Sequence, residues 1–313
     1  MATTNSITTT YAGEFQGKYI STALFSGVTI ANDGIEVKQN IKYKEVIKKL
    51  VSGSLLANAT CEFTASSSLT QTERYLTPKE IQVNLEVCKT DFVSDWDAIS
   101  MGMSAHDDLP KSFADFLMAH VVEKVAEEIE VSIWQGDGST GEFDGFVKLA
   151  EADVDVIDVT GTAVSVDASN VIDEMRKATD LVPERLYGSE GLRLYVSNNV
   201  SRAYIQALGG FGANGLGANG IDGKGTTWRT DGSLSFDGVQ IFVAQGLPSN
   251  TMFIAEKDNM YFGTGLTADQ NEVKVLDMSD LDGSKNVRLI MRMTGCVNYG
   301  IGSEIVYYKP NVA

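Results

Sequence analysis

The clearest periodic signal in the chain runs from Lys111 to Trp134, where Phe113, Leu117, Val121, Val125, Ile129 and Ile133 recur every four residues with Phe116 beside them. Asp115, Glu123, Glu127, Glu128 and Glu130 occupy other positions around the turn. That spacing predicts an amphipathic helix. Pro110 suits a first helical position, Ser112 with Asp115 resembles a capping box, and Gly136 suits the C-terminal stop. About 23 residues at a rise of 1.5 Å make a rod of roughly 35 Å, the longest straight element the pattern predicts.

On the N-terminal side, residues 59–65 (ATCEFTA) and 81–88 (IQVNLEVC) both alternate, which predicts a long hairpin whose tip is the polar stretch SSSLTQTERYLTPKE with Thr77-Pro78 inside it. Matching the apolar faces pairs Phe63 with Leu85 and Cys61 with Val87, and turns Cys88 to the polar side, so no disulfide is expected between the two cysteines. Phe63, Val83, Leu85 and Val87 then form a face that nothing within the ribbon buries. Residues 1–34 are rich in Thr, Ser, Gly and Asn and predict an arm that lies on something else. Between arm and hairpin, EVKQNIKYKEVIKKL predicts a strand and then a short amphipathic helix, with Lys38, Lys42, Lys44, Lys48 and Lys49 on a solvated face.

Beyond the rod, EADVDVIDV alternates as a half-exposed strand would, and residues 168–182 return to helical spacing. LRLYVS predicts a short buried strand and NVSRAYIQAL a second helix. A glycine loop follows, GGFGANGLGANGIDGKG, and then the short strands VQIFVA, TMFIAE, EVKVLDM, VRLIMRMTG and EIVYY. Helices packed against a mixed sheet make the fold class α+β.

Composition narrows function. The chain has 313 residues, 43% hydrophobic, enough for one large or two ordinary domains with a sizeable core. Its formal charge of -17 repels phosphate backbones, so contact with nucleic acid is expected to be weak and nonspecific. The polar N-terminus MATTNSITTT lacks the parts of a signal peptide, and no apolar run is long enough to span a membrane, so a soluble chain made in the cytoplasm is expected. Cys61, Cys88 and Cys296 lack metal or redox spacing and read as small buried hydrophobes.

Several segments resemble chemical sites. Gly210 to Gly215 fits GxGxxG, and the fit repeats from Gly215 to Gly220, but the loop follows a helix and runs into more glycine, where a dinucleotide fingerprint follows a strand and opens a helix. His106 and His120 are the two histidines, too few for a three-histidine zinc site, and no nucleophile is placed beside either. In IWQGDGSTGEFDGF, residues 133–146, Asp137, Ser139 and Gly141 alternate vaguely like a calcium loop, without the carboxylates that loop requires. Glu151, Asp153, Asp155 and Asp158 are expected to form a solvated strand face rather than a cation site. No catalytic, cofactor or metal residues are assigned.

A long acidic helix ending in (W/F)-x-G-x-G, then a second glycine turn and an apolar strand, resembles the spine helix and following turn of tailed-bacteriophage major capsid proteins; here the segment reads EEIEVSIWQGDGSTGEFDGFV. Members often carry a proline shortly before the last glycine, where this chain has Asp144. The order of parts resembles that family over nearly the whole chain. The resemblance implies a Hong Kong 97-like capsid fold, with an N-terminal arm at 1–42, an E-loop hairpin at 53–92, a P-domain at 43–52, 93–160 and 285–313, and an A-domain at 161–284.

It implies further that the chain is a structural subunit, not an enzyme, assembling as hexamers and pentamers into the icosahedral shell of a virion in the host bacterial cytoplasm. Phe63, Val83, Leu85 and Val87 would lie on the P-domain of an adjacent subunit. Gly210, Gly212, Gly215, Gly217 and Gly220 would sit near the capsomer axis. With no long coiled segment before the arm, a fused scaffolding domain is expected to be absent, which implies a separate scaffold protein beside a portal and decoration proteins. An encapsulin-like compartment shell shares the fold and is the alternative; a cation- or sugar-binding β-rich protein is a more distant one.

Overall fold

The computed structural model describes residues 28–52, 56, 58, 61, 69–88, 111–139, 142–209, 234–265, 274–278 and 283–311. In chain order a short helix α1 (Val28–Ala31) leads into β1 (Glu36–Lys38), β2 (Glu45–Ser52), β3 (Leu69–Leu76) and β4 (Lys79–Cys88). The long helix α2 (Lys111–Gln135) and the short α3 (Phe146–Ala152) follow. Then come β5 (Ile157–Thr160), α4 (Val171–Thr179), β6 (Leu192–Val196), α5 (Asn198–Gly209), β7 (Ser235–Phe236), β8 (Val239–Val243), β9 (Met252–Glu256), β10 (Met260–Gly263), β11 (Lys274–Asp277), β12 (Asn286–Tyr299) and β13 (Val306–Lys309).

A six-stranded sheet with order β5-β13-β9-β6-β8-β7 forms a wall between two cores. Alternation along its strands sorts the side chains. Leu194, Val196, Met252, Ile254, Val306 and Tyr308 face one core, where Val171 and Met175 of α4 and Val200 and Tyr204 of α5 meet them. Tyr195, Phe253, Ala255 and Tyr307 face the other, which holds Trp134, Phe146, Phe262 and Tyr299. A sheet covered on both faces favours apolar residues at successive positions, which is why MFIA of β9 and LYV of β6 run without a polar residue, while Arg193 and Glu256 are only partly buried.

The second sheet is organised by β12, whose 14 residues pair antiparallel with β4, β11 and β10, while β1 adds parallel to β10. Against it lies α2. Val121 and Val125 are buried and Ile129 partly buried on Val87, Leu289, Met291 and Met293, and Ile133 continues the stripe into the aromatic core. The four-residue spacing therefore marks the packed face of the rod. At Phe113 and Leu117 the helix backbone is described and the side chains are not.

The hairpin expectation is corrected at its tip, and β4 runs antiparallel to β12, with Leu85 opposite Leu289 and Val87 opposite Val287, while its expected partner 59–65 apart from Cys61 lies outside the described residues. The ribbon is instead β2 with β3, from Glu45 opposite Leu76 to Ser52 opposite Leu69. EVIKKL is thus a strand, not a helix. Its spacing satisfied helical periodicity over too few residues to decide, and pairing with the Thr- and Tyr-bearing LTQTERYL settles it. The stretch read as a polar tip is one arm of the ribbon. Phe63 and the other residues of 59–65 besides Cys61, the glycine loop with Gly210, Gly212, Gly215, Gly217 and Gly220, and His106 lie outside the described residues.

Two smaller corrections follow from α3. The apolar residues after the second glycine turn, Phe146 to Ala150, form a helix rather than a strand, and Glu151 and Ala152 belong to it. The alternating EADVDVIDV therefore becomes a strand only from Ile157. Phe146 and Ala150, four apart, are the buried positions, and one helical turn brings both onto the aromatic core.

Candidate assembly surfaces

The break after the rod is a tightly packed turn. An ideal Cβ on Gly136 would lie 2.1 Å from the Phe143 carbonyl oxygen, and one on Gly145 would lie 2.7 Å from both the Gly136 nitrogen and the Trp134 carbonyl oxygen. The two backbones touch there, joined by the Gly145 N–H donating to the Gly136 oxygen at 2.7 Å and by a bridge between Asp137 and Asp144. Only glycine permits that approach.

Lys79, at the start of β4, holds the turn to the second sheet. Its ammonium donates to the carbonyls of Gly138, Ser139 and Glu142 at 2.8, 2.7 and 2.7 Å, which uses all three of its protons. Asp137 accepts the Ser139 N–H at 2.8 Å, and Ser139 holds its carboxyl below the usual range. Asp144 pairs with Lys148 one turn along α3. The acids of the turn therefore shape the backbone. Among the described residues no group of three His, Cys, Asp or Glu side chains is placed to hold a metal ion, and no helix is long and apolar enough to cross a membrane.

Sequence periodicity placed Glu130 outside the packed stripe, yet its side chain is fully buried. One oxygen accepts the Thr29 N–H at 3.0 Å, the other accepts the Thr29 hydroxyl, and Trp134 Nε1 donates to that hydroxyl at 3.0 Å. The network fastens α1, at the root of the arm, to the end of the rod. The available signal was position: Glu130 lies one helical turn before Trp134, so the face that buries the tryptophan takes the carboxyl with it.

Burial raises the Glu130 pKa, against the pull of the Thr29, Gly246 and Trp134 donors. A folded-state pKa above the unfolded value favours the fold below the unfolded value, and that contribution is lost as pH rises through the folded pKa. Glu130→Gln, which cannot ionise, should therefore gain in thermal midpoint relative to the parent as pH rises from about 4 to about 8. A parallel pair of melting curves against pH would show the carboxyl to be uncoupled from folding.

At the root of the ribbon Arg74 forms an ion pair with Asp153 and stacks over the Tyr299 ring at 4.6 Å, while the Tyr299 hydroxyl donates to Asp153 Oδ2 at 2.9 Å. Burial opposes the Asp153 charge, but Arg74, the Asp155 N–H and Tyr299 outweigh it and hold the carboxyl below the usual range. Asp153 was expected on a solvated face. It is a fixed anchor for β3, whereas Asp158 pairs with Lys309 at 3.0 Å near the surface.

Beyond that anchor the ribbon is open. Directly opposed residues share a face, so Val46 with Tyr75 and Leu50 with Gln71 lie on one side together with Leu69, and Val46, Leu50, Leu69 and Tyr75 are 40%, 63%, 65% and 44% exposed.

The expected interface residues of β4 are placed differently. Val87 is buried and Val83 partly buried within the chain's own core under α2, and Leu85 is at the margin of exposure. The rod covers Val87 and part of Val83, and Leu85 between them stays 36% exposed. Val87→Ala should therefore lower the melting of the isolated subunit itself, by about 1–2 kcal/mol for the lost methyl groups and the space they leave. An unchanged subunit transition would return Val87 to the interface. Cys61 and Cys88 are both free, the first exposed and the second half-buried opposite Asn286.

With this geometry in hand, likeness to solved structures is informative. A chain of the capsid of the native GTA particle superposes with a TM-score of 0.60 at 14% identity, covering 97% of this chain and 95% of that one. A Gordonia phage Cozz chain gives 0.62 at 13% identity over 97% and 92%, and one from the capsid of Myoviridae phage XM1 gives 0.59 at 12% over 95% and 96%. The chain has a tailed-phage capsid fold. It is the α+β, Hong Kong 97-like fold that the order of parts implied, and α2 is its spine helix. No family model and no curated protein matches the sequence.

Proposed function

We propose that this chain is the structural subunit of an icosahedral shell that encloses the genome of a tailed phage. The observation that carries the reading is the near-complete mutual coverage with chains of capsid particles, which leaves little of either chain for another role. The ribbon supports it. A two-stranded ribbon is marginal alone, and this one leaves four large side chains of one face in water.

In this reading residues 1–42 are the arm, and 43–52, 93–160 and 285–313 the peripheral domain around the spine helix. Residues 161–284 form the axial domain, with the glycine loop and its Gly210, Gly212, Gly215, Gly217 and Gly220 at the capsomer axis. The division is one of position within a capsomer; in packing, β5 and β13 share a sheet with β6, β8 and β9. The E-loop of the notional 53–92 span shifts to the β2–β3 ribbon and the residues between its strands. Copies assemble in the host cytoplasm as hexamers and pentamers, with a separate scaffold protein, a portal and decoration proteins as partners. A charge of -17 suits a wall that encloses DNA without gripping it. No step of this function calls for catalysis or a cofactor.

Sedimentation of the purified chain over a range of micromolar concentrations tests the reading. Species much larger than one subunit, growing with concentration, are expected. A single sharp monomer boundary at every concentration and salt would refute it.

A further inference from the structure

We propose that Glu130 is a proton-operated latch: with its carboxyl neutral it holds α1 against the end of the rod, and on ionising it lets residues 28–32 swing away about Asp33. The device goes beyond the shell reading and does not rest on it.

The segment is held unequally on the two sides of Asp33. From Asp33 onward several elements grip it. Lys257 pairs with the Asp33 carboxylate, Arg193 donates to the Asp33 carbonyl at 2.7 Å, and the Tyr195 hydroxyl donates to the Gly34 carbonyl at 2.5 Å. Ile35 is buried in the aromatic core, and β1 pairs with β10 from Glu36 onward. Ahead of Asp33, among the described residues, the hydrogen bonds from α1 to other elements all end on Thr29, with Glu130 and Trp134 as its partners. Ile30 adds a partly buried apolar contact. The remaining bonds, Asn32 to Val28 and Gly34 to Thr29, close α1 on itself. A helix of four residues does not persist alone, so α1 keeps its shape only while it is held. Asp33 is the joint. Its φ of 56° lies in the left-handed region, and a change of backbone angle there re-aims α1 while β1 stays in its sheet.

The Glu130 site has donors and no counter-charge. Its carboxyl is fully buried, and the groups that donate to it, the Thr29 N–H and hydroxyl and the Gly246 N–H, are neutral. Charged and titratable groups on the surrounding elements are engaged elsewhere: Asp33 with Lys257, Arg193 with the Asp33 carbonyl and the Phe242 ring, Tyr195 with Gly34, and Glu127 of the rod with Lys124. Among the described residues no cation pairs with Glu130. A buried carboxylate without a cation is costly, and burial raises its pKa in spite of the donors.

The other walls of the site cannot part easily. An ideal Cβ on Gly246 would lie 2.1 Å from the Glu130 carbonyl oxygen and 2.9 Å from the Trp134 ring, and Trp134 is itself enclosed by aromatic rings. α1 is therefore the wall that moves. With α1 in place the neutral carboxyl is favoured, and with α1 released the carboxyl meets water and the charged form is favoured. The latch is complete below the ordinary glutamate pKa, weakens as pH rises, and stops weakening above the raised pKa of the latched state.

Hydrogen–deuterium exchange of the purified full chain tests this, read by mass spectrometry on peptides covering residues 28–34 and corrected for the intrinsic effect of pH. Between the two pKa values the opening of α1 should grow by up to about tenfold per pH unit and then level off, while the β6 amides of residues 192–196 show no such rise. Glu130→Gln should give a flat profile. Thr29→Val removes one donor to the carboxylate, so its rise should continue to a higher pH before levelling. Opening of α1 that is equal at every pH in the parent, or that rises equally in Glu130→Gln, overturns the latch. So does an equal rise in β6, which would mark global unfolding, or an unmoved levelling point in Thr29→Val. The parent and Thr29→Val profiles decide the matter by themselves if Glu130→Gln does not fold.

Discussion

Trp134→Ala should lower the stability of the unassembled subunit by about 3–5 kcal/mol, the range for deleting a buried tryptophan. Its indole is fully buried where the spine helix ends, with Tyr195, Phe146 and Phe253 at ring-centroid distances of 5.3, 5.5 and 5.9 Å. Those partners come from β6, α3 and β9, so a single side chain joins the rod to the six-stranded sheet and to the helix after the turn. Alanine would leave a large cavity among rigid rings and remove the N–H that Thr29 accepts. In a chain of this size the loss corresponds to a fall in melting temperature of about 10 °C. Trp134→Phe keeps an aromatic ring and loses the hydrogen bond, so a smaller loss of about 1–2 kcal/mol is expected. Urea unfolding below the assembly concentration measures both, and a loss under about 1 kcal/mol for alanine would mean that the rod and the sheet do not meet at this residue.

Gly136→Ala should be nearly as damaging, at about 3 kcal/mol, although it adds only one methyl group. The added carbon would sit 2.1 Å from the Phe143 oxygen and 2.6 Å from the Ser132 oxygen. Both are backbone atoms that no rotamer change can move aside. One belongs to the last turn of the spine helix and the other to the returning chain, so relief requires the turn to open. Opening it would pull apart the Gly145 to Gly136 hydrogen bond and the carbonyls gathered on Lys79. Ser139→Ala in the same turn keeps the backbone N–H that Asp137 accepts and removes only an exposed hydroxyl from that carboxylate, so it should melt much closer to the parent. Equal melting curves for the two variants would show the turn to be loose.

These effects also mark what could be read from the residues alone. The rod was legible because a stripe from Val121 to Ile133 repeats for several turns, and one side of a long helix can satisfy that pattern only by packing. The inner strands were legible because burial on both faces leaves few polar positions, Arg193, Gln240 and Glu256 among them. The ribbon was not. Thr70, Thr72 and Tyr75 have strand propensity, but β3 is exposed along most of both faces, so no core imprints an alternation on it. Its partner β2 carries four apolar residues at spacings that suit a helix equally well. With the partner of β3 hidden, the pairing of β4 with β12 was hidden too, since its apolar face fits any alternating segment and β12 lies about 200 residues further along. The anchoring groups were illegible for a related reason. Lys79, Arg74 and Glu130 look like surface charges in a row of letters, and only the fold brings the three carbonyls to Lys79, Asp153 to Arg74 and Thr29 to Glu130.

The central claim is that copies of this chain close into a shell, and negative-stain electron microscopy of the purified protein tests it most directly. The account predicts rings of five or six subunits and closed particles of uniform diameter. Fields of isolated subunits at concentrations up to the micromolar range, from protein that melts cooperatively, would contradict it.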